Sequence, residues 1–516
     1  MIGAGLVLEL GWLCVVAASG PLTESQGFTD ALVRALPTTL WNEPRLALVA
    51  LVAKAGGPSD PRLASAVILV GGLLVATAGY LAGLAALIRR QTWAAVAWVS
   101  ALGIVFHITL WLMPGLLSGD IISYALYGRL GGVYGLNPYV SPPSAVPADP
   151  FVAWLGGGPD RASLYGPLWT DLSAGLAMLT AGADPLLHVL IYRFLGSIVV
   201  LVCMMLLWRL LPLFGSAGAA RAVGLLLFAW NPLVLLELVG SGHNDGFMLM
   251  LMLAGVLALA SPTRHLVRGF LSALVLFTLA ALVKYVPAVL ALLTATVWAR
   301  TLPRWRTRLA ALAAACVLLA SVTMVLALPW FDRQRPLQMV SNAGTAGDRY
   351  VNAIWDLPTR YIARRWVDRN GENLAAADES VRFWPRTILQ ALFVVYLGFE
   401  VRRLWKCCPS IQAERARAVA EAGTRIFLVA LLVVANQVLA WYFAWPLALA
   451  SSLGWRSSLA RLAVAYSVLY LPLFYAIHED IVRDTVPWLL AYALAPLIWL
   501  FVLRTTRQVQ AHQSER

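Results

Sequence analysis

Residues Arg221 to Ala260 have the clearest structural pattern in the chain and read RAVGLLLFAWNPLVLLELVGSGHNDGFMLMLMLAGVLALA. Two apolar runs, 221–240 and 245–260, are joined here by a short turn rich in glycine and polar residues. A bilayer core about 30 Å thick is crossed by about 20 apolar residues in a helix. The pattern therefore predicts two membrane helices connected by a tight polar turn.

The same apolar character extends over the whole chain. Of 516 residues, 60% are hydrophobic and 13% are charged, whereas soluble domains contain about 45–50% apolar and about 25% charged residues. The composition indicates a membrane protein. A formal charge of +13 would suggest nucleic-acid binding in a soluble chain, but the cations here follow the loops of a membrane protein, so no nucleic-acid partner is predicted.

Ten apolar runs predict single membrane helices. They lie near 2–19, 64–88, 93–114, 186–212, 221–240, 245–260, 309–329, 385–402, 458–477 and 487–503. Two longer regions, 269–299 and 426–454, are interrupted by Lys284-Tyr285-Val286-Pro287 and by Trp441-Tyr442, and each predicts a short broken hairpin. The result is a single all-α polytopic domain over residues 1–516 with about 14 membrane segments. The first run lacks a basic n-region, so it is interpreted as a span rather than a signal peptide.

Basic residues near helix ends mark the cytoplasmic side of a membrane protein. They cluster at 89–90, 209–221, 264–268, 300–308, 402–425, 456–461 and 504–516. This distribution predicts that both termini are cytoplasmic and that three long segments, 20–63, 115–185 and 330–384, lie outside. Long polar outer loops favour an enzyme at the outer face over a transporter.

Segment 115–185 has the densest candidate chemistry. Asp120 follows the third span closely, so we expect its carboxylate at the membrane boundary, where it can act as a general base. The alternative is an N-cap, provided by Ser118 or Asp120, for a helix over 121–130. The apolar stretch 172–182 is too short to span and predicts an interfacial helix.

The turn after the fifth span contains His243, Asn244 and Asp245, and Glu237 precedes it inside the span. Gly, Asn and Asp also build tight turns for backbone reasons alone, but ionisable groups in a membrane are costly and point to function. Lys284, one of three lysines, interrupts an apolar region, where its ammonium either binds a phosphate or snorkels to the interface.

Segment 330–384 mixes basic and aromatic side chains. They include Arg333, Arg335, Arg349, Arg360, Arg364, Arg365, Trp355, Tyr361 and Trp366. This mixture suits anionic headgroups, and a solvated charged face accounts for it equally well. The sequence has no CxxC, HExxH or Walker motif, so no metal or other cofactor is predicted.

Several of these motifs follow one another in a family-specific order. They are Asp120 with Ser123-Tyr124, Asn137-Pro138-Tyr139, Tyr165-Gly166-Pro167, Asn231-Pro232-Leu233-Val234-Leu235, His243-Asn244-Asp245, Val283-Lys284, and Trp441-Tyr442 with Trp445-Pro446-Leu447. The series, mostly within 110–290, resembles the GT-C membrane glycosyltransferases. Among these it most resembles the bacterial polyprenol-phosphate-mannose-dependent alpha-1,6-mannosyltransferases.

The resemblance implies a GT-C fold in the bacterial inner membrane with an extracytoplasmic active site. It also implies a beta-linked polyprenyl-phosphate mannose donor, a glycan or glycolipid acceptor, and a single displacement with inversion in which Asp120 is the base. The candidates for binding the donor phosphate are Lys284, His243, Arg333 and Arg365. The candidates for binding the substrates are Tyr124, Arg129, Asn137, Tyr139, Tyr165, Asn244, Asp245, Trp441 and Tyr442.

This chain departs from the family pattern at two positions, and these bear on the acceptor and the sugar. Gly119 stands where close relatives have a basic residue, and Asp245 stands where they have Glu in a His-Asn-Glu turn. A second carboxylate to accompany Asp120 is expected at Asp171 or Asp245.

Two alternative functions remain open from the sequence. One is a transporter or flippase of a lipid-linked sugar, with Glu237, His243 and Lys284 as a polar site near the midplane. That function predicts related halves and short loops, which the sequence does not show. The other is a GT-C enzyme that uses a different sugar donor.

Overall fold

The computed structural model describes residues 1–37, 40–89, 92, 94–262, 266–345, 361–363, 365–367 and 374–482, and every regular element named in this part of the chain is helical. The helices are α1 (Ile2–Ser19), α2 (Gln26–Ala35), α3 (Asn42–Lys54), α4 (Pro61–Arg89), α5 (Ala94–Trp111), α6 (Asp120–Gly132), α7 (Pro167–Leu179), α8 (Pro185–Leu213), α9 (Ala220–Ala229), α10 (Pro232–Gly240), α11 (Asp245–Ala260), α12 (Leu266–Ala281), α13 (Ala288–Thr301), α14 (Trp305–Ala327), α15 (Gln338–Thr345), α16 (Leu374–Lys406), α17 (Gln412–Val429), α18 (Ala444–Ser452) and α19 (Ser458–His478).

Within the described residues, six helices are long and apolar enough to cross a membrane. They are α1, α4, α5, α8, α14 and α19, the first and the fifth each extended by a short 3-10 turn. The pair α9 and α10 forms a seventh candidate, and α11, α12 and α13 are apolar but shorter. An all-α polytopic membrane protein is thus confirmed, whereas the count of 14 segments and the orientation stay predictions. The span predicted at 487–503 lies outside the described residues.

The first and fourth helices pack backbone against backbone. A Cβ atom at Gly11 would lie 2.5 Å from the backbone nitrogen of Ala76, and one at Gly79 would lie 2.5 Å from that of Leu8. Such close approach is characteristic of small residues between membrane helices. The chain after α1 lies beside the segment that leads into α6. There, Gly119 donates its N–H to a carboxylate oxygen of Glu24 at 2.6 Å.

The span at 221–240 is bent by 44° where α9 meets α10. Pro232 provides no backbone N–H for the helix, and the side-chain oxygen of Asn231 accepts the N–H of Leu233 at 3.1 Å, so α10 starts afresh with its own cap. Its last six residues, Leu235–Gly240, form a π-helical turn. Such turns are rare and often lie at functional sites.

Both regions predicted to be broken are broken in the structure. Residues 282–287 separate α12 from α13, and residues 435–443 separate the π-helical end of the α17 segment from α18. The segment before α7 runs along the first break, since the N–H of Gly166 donates to Val283 O and the N–H of Leu168 to Leu282 O, both at 3.0 Å. These two hydrogen bonds hold the predicted loop 115–185 against the Lys284 region.

Candidate active site

Four irregular points of the fold meet at one cluster of polar side chains. They are the first turn of α6, the turn between α10 and α11, the break between α12 and α13, and the 3-10 turn Ala440–Phe443. Helix ends have unpaired backbone groups and side chains that are not committed to a helix face. Their convergence concentrates the polar chemistry in one place.

Asp120 is the first residue of α6, and its carboxylate faces His243. The distance from His243 Nδ1 to Asp120 Oδ2 is 3.2 Å, and the hydroxyl of Tyr124 donates to the same oxygen at 3.3 Å. The N-cap position is occupied by Gly119 without a side-chain capping bond. The alternative interpretation of Ser118 or Asp120 as the N-cap is therefore wrong, because Gly119 has that position, and Ser118 Oγ accepts only the N–H of Asp120 at 3.4 Å.

His243 lies between two carboxylates. Its Nε2 atom is 3.3 Å from Glu237 Oε2, and the other oxygen of Glu237 accepts the hydroxyl of Tyr475 at 3.0 Å. The indole of Trp441 stacks on the imidazole with 3.8 Å between ring centroids. The ring is thereby held in one orientation from two edges and one face.

The charges of the pair follow from this arrangement. Burial alone would lower the pKa of His243, but hydrogen bonding to Asp120 and Glu237 and their negative charges raise it to about 9. Burial would raise the pKa of Asp120, yet the hydrogen bond to His243, the His243 charge and the Lys284 charge lower it below the usual value. At neutral pH the pair is an imidazolium beside a carboxylate.

Lys284 lies in the break between α12 and α13, and its ammonium is paired with Asp245. The distances to the two carboxylate oxygens are 3.0 and 2.9 Å, and the indole N–H of Trp445 donates to one of them at 2.6 Å. The ammonium also lies 4.8 Å from the ring centroid of Tyr442. Burial would lower the pKa of Lys284, but the charge of Asp245 raises it above the usual value.

Exposure separates these residues into two groups. The side chains of His243, Glu237 and Asp245 are fully buried, whereas Asp120 is 29% and Lys284 16% exposed. Within this cluster, the Asp120 carboxylate and the Lys284 ammonium are therefore the charged groups open to a ligand. The side chains of the other three residues lie behind them.

Asn244 contributes a buried amide that is not used inside the protein. The residue is 1% exposed, and neither Oδ1 nor Nδ2 has a hydrogen-bond partner among the described residues. Its backbone N–H donates to the hydroxyl of Tyr124 at 3.3 Å. Because buried polar groups are normally paired, the free amide is suited to a ligand.

The remaining predicted residues fall into two sets. Tyr165 packs edge-on against Tyr124 with 4.9 Å between ring centroids, beside the cluster. Arg129 is instead paired with Asp149 at 2.6 Å, and the hydroxyl of Tyr139 donates to Tyr165 O at 2.8 Å. Asn137 donates to Trp330 O at 2.8 Å. The polar groups of Arg129 and Tyr139 thus hold the 115–185 segment together, and the amide of Asn137 joins it to residue 330.

The arginines of segment 330–384 have no contact with the cluster in the described part of the chain. Arg333 is exposed, and Arg365 lies over the ring of Tyr361 at 5.2 Å. Their assignment to the donor phosphate stays a prediction. Arg349, Arg360 and Arg364 lie outside the described residues.

Two contacts of the cluster were not predicted. Tyr475 and Trp445 bind the buried acids Glu237 and Asp245 from helices more than 190 residues away in sequence. Trp445 lies in a motif of the family series to which the sequence assigns no function. Tyr475 lies in the apolar span 458–477, where nothing in the sequence marks it as a site residue. The described residues contain no group of three His, Cys, Asp or Glu side chains arranged to hold a metal ion.

Taken together, the fold and the site define a polytopic α-helical membrane protein with an accessible aspartate backed by a histidine and a second acid. The family model described as "Alpha-(1->6)-mannopyranosyltransferase, N-terminal domain" matches residues 32–300. This is just over half of the chain, and the protein belongs to that family. The match confirms the family inferred from the motif series.

Individual relatives agree with this assignment. Alpha-(1->6)-mannopyranosyltransferase A of Mycobacterium tuberculosis is 27% identical over 376 residues, which cover 69% of this chain and 65% of the relative. A second alpha-(1->6)-mannopyranosyltransferase of the same organism is 32% identical over 163 residues, 28% of this chain and 25% of that protein. The chain thus matches less than two thirds of the length of either relative.

Among solved structures, the archaeal oligosaccharyltransferase AglB from Archaeoglobus fulgidus, in complex with an inhibitory peptide and a dolichol-phosphate, is a distant match. The identity is 12%, the TM-score is 0.35, and the alignment covers 81% of this chain and 56% of AglB. A likeness of this size carries no argument about the fold or the activity.

Proposed function

We propose that this protein transfers a mannosyl unit from a polyprenyl-phosphate donor to a glycan or glycolipid acceptor. The observation that carries the proposal is the accessible Asp120 carboxylate, held by His243 in a cluster that also contains the partly exposed Lys284 ammonium. Membership of the alpha-(1->6)-mannopyranosyltransferase family supports mannose as the sugar. The basic loops support a site at the outer face of the bacterial inner membrane.

In the proposed reaction Asp120 takes the proton of the acceptor hydroxyl. The acceptor oxygen attacks the anomeric carbon, the bond from that carbon to the phosphate oxygen breaks, and the electron pair leaves with the lipid phosphate. A single displacement on a beta-linked donor inverts the anomeric carbon and yields an alpha linkage. Asp120 needs only modest basicity, because the hydroxyl becomes acidic as its oxygen bonds to carbon.

Lys284 is proposed to meet the departing phosphate. Breaking the glycosidic bond adds negative charge to the phosphate, and a preplaced cation in a water-poor pocket stabilises that charge. The ammonium has three donors, two of which already face Asp245. Its exposed fraction leaves room for a third contact, and the Tyr442 ring fixes its position.

The test uses the purified protein, synthetic polyprenyl-phosphate mannose and an oligomannoside acceptor. Asp120→Asn is expected to reduce transfer by about 100-fold or more, the size of a general-base contribution. Asp171→Asn serves as the matched control, because Asp171 lies in the same segment but binds Trp330 at 2.7 Å instead of His243. Wild-type transport of the donor across liposomes without glycosidic product would favour a flippase instead.

A further inference from the structure

We propose that Glu237 is a positioning residue for the reaction, acting through His243 to keep the imidazolium against Asp120 while the acceptor proton is transferred. The inference rests on the proposed function and extends it to a residue that no substrate touches. Glu237 is fully buried, so its effect on the chemistry passes through its neighbours.

The geometry places an acid at each ring nitrogen of His243. Nδ1 faces a carboxylate oxygen of Asp120 at 3.2 Å, and Nε2 lies 3.3 Å from one of Glu237, a charge contact in which neither Nε2 nor Glu237 Oε2 meets hydrogen-bond geometry. An ionised carboxylate accepts hydrogen bonds and donates none. Protonation of both ring nitrogens therefore gives each acid a favourable partner and makes His243 a cation held between two anions.

The local fold maintains this arrangement. Glu237 lies in the π-helical turn Leu235–Gly240, and the backbone N–H of His243 returns to Glu237 O at 3.1 Å. The hydroxyl of Tyr475 holds the far carboxylate oxygen. The indole of Trp441 covers one face of the imidazole, so the ring has little freedom to turn away from Asp120.

The charge balance explains why a second acid is useful. Before transfer, Asp120, His243 and Glu237 sum to one negative charge, which favours the positive charge that develops on the sugar. After Asp120 has taken the proton, the sum is zero. Without the charge of Glu237, the sum is zero before the proton transfer and one positive charge after it. That positive charge opposes the developing sugar cation in a buried site.

Other titratable groups near His243 lie on several elements. From α6 they are Asp120 and the Tyr124 hydroxyl, and from α19 Tyr475 acts through Glu237. The Lys284 and Asp245 pair lies beyond Asp120, whose pKa responds to the Lys284 charge. Of these groups, Asp120 and Glu237 contact the imidazole nitrogens directly, so their charges dominate its protonation.

The first test is the pH profile of transfer. Glu237→Gln keeps the side-chain size and an oxygen that accepts the Tyr475 hydroxyl, but it removes the negative charge. Transfer is expected to decline at alkaline pH as His243 loses its proton, and in the variant this decline should occur about one pH unit or more lower than in the wild type. For a shift of one unit, kcat should fall by about twofold at pH 8 and by close to tenfold well above pH 9, because there the charged fraction of His243 changes tenfold per pKa unit. Tyr475→Phe is the matched control, because it removes one hydrogen bond to Glu237 but leaves the charge.

The second test does not depend on activity. The chain has six histidines, so selective ¹⁵N-histidine labelling gives a simple spectrum, in which His243→Asn identifies the His243 signals. In wild-type protein the His243 nitrogens should have mainly imidazolium shifts at pH 8, and in Glu237→Gln protein the pH at which these shifts change to the neutral values should be lower by about one unit or more. This measurement applies even where a variant is inactive, and the wild-type protein alone provides a test if Glu237→Gln does not fold, because neutral His243 shifts in wild-type protein at pH 7 would overturn the inference.

The outcomes separate the inference from the function on which it rests. Wild-type protein without transfer activity would overturn the proposed function, whereas the histidine spectrum would still report on the imidazolium. An active wild type with a Glu237→Gln variant that is slower at every pH, but has the same alkaline limb and histidine shifts, would reduce Glu237 to a structural role and overturn the inference.

Discussion

The ammonium of Lys284 lies 3.0 and 2.9 Å from the two carboxylate oxygens of Asp245. The two residues come from a helix break and a helix start that are 39 positions apart. The pair neutralises a buried carboxylate and at the same time leaves the lysine partly exposed. The same ammonium is thus available to an incoming phosphate, and this relationship leads to the first prediction.

Lys284→Ala should raise the KM for the lipid-phosphate donor far more than the KM for the acceptor, because the ammonium is the group proposed to meet the donor phosphate. The variant also leaves Asp245 buried without its cation, which costs about 3–5 kcal/mol of stability. Steady-state kinetics with each substrate varied in turn checks the first effect, and thermal melting checks the second.

Two further variants separate binding from stability in that experiment. The double variant Lys284→Met with Asp245→Asn removes both charges, so stability should return while the donor defect remains. Lys54→Ala, at the exposed end of α3, should change neither. Equal effects of Lys284→Ala on both KM values would contradict a phosphate contact.

Asn244→Ala should lower activity without lowering stability. The amide of Asn244 makes no hydrogen bond among the described residues, so its removal takes no bond away and relieves the cost of a buried unpaired group, about 1–3 kcal/mol. We expect an unchanged or higher melting temperature together with a higher KM for at least one substrate. A lower melting temperature with unchanged KM values would show that Asn244 has a structural role.

Gly166→Ala should disturb the site from outside the cluster. A Cβ atom at Gly166 would lie 2.1 Å from the carbonyl oxygen of Leu282, so the segment before α7 must move away from the Lys284 break. Such overpacking costs about 1–3 kcal/mol, and donor binding should weaken. Gly175→Ala on α7 is the matched control, because open space surrounds that position. Measuring the melting temperature and the donor KM of both variants checks this prediction.

The stability provided by His243 should depend on pH with a definite sign. Its pKa is raised to about 9 in the folded protein from about 6.5 when unfolded. The contribution, about 3 kcal/mol, is complete below pH 6.5 and is lost as the pH rises through 9. The melting-temperature difference between wild type and His243→Gln should therefore be large at pH 6 and shrink by pH 9.5. A difference that grows with pH would contradict the imidazolium.

The sequence predicted much of the helical architecture. Runs such as 64–88 and 186–212 correspond to α4 and α8, because a helix in a membrane must be apolar over its whole length and this leaves a readable pattern. The two broken regions were also predicted, from Lys284 with Pro287 and from Trp441-Tyr442. The helix count was harder to predict, since short apolar helices such as α11 to α13 have the composition of a span without its length.

For the site, the sequence picked out Asp120, His243, Asn244, Asp245 and Lys284 because polar and ionisable residues are conspicuous at the ends of apolar runs. It did not separate them from Arg129 and Asn137, which have the same residue chemistry but are bound to Asp149 and to Trp330 O. A side chain's type shows what it is able to bind, and only its neighbours show what it does bind.

By itself, then, the sequence determined that the protein is an all-α membrane protein of a mannosyltransferase family, because hydropathy and motif order are properties of consecutive residues. The tertiary structure decided that Asp120 faces His243 instead of capping α6, that Glu237 is the acid behind the histidine, and that Lys284 is paired with Asp245. The pairs Asp120–His243 and Lys284–Asp245 join residues 123 and 39 positions apart. They depend on how the helices pack, because charges and hydrogen bonds act between side chains that are close in space, whatever their separation along the chain.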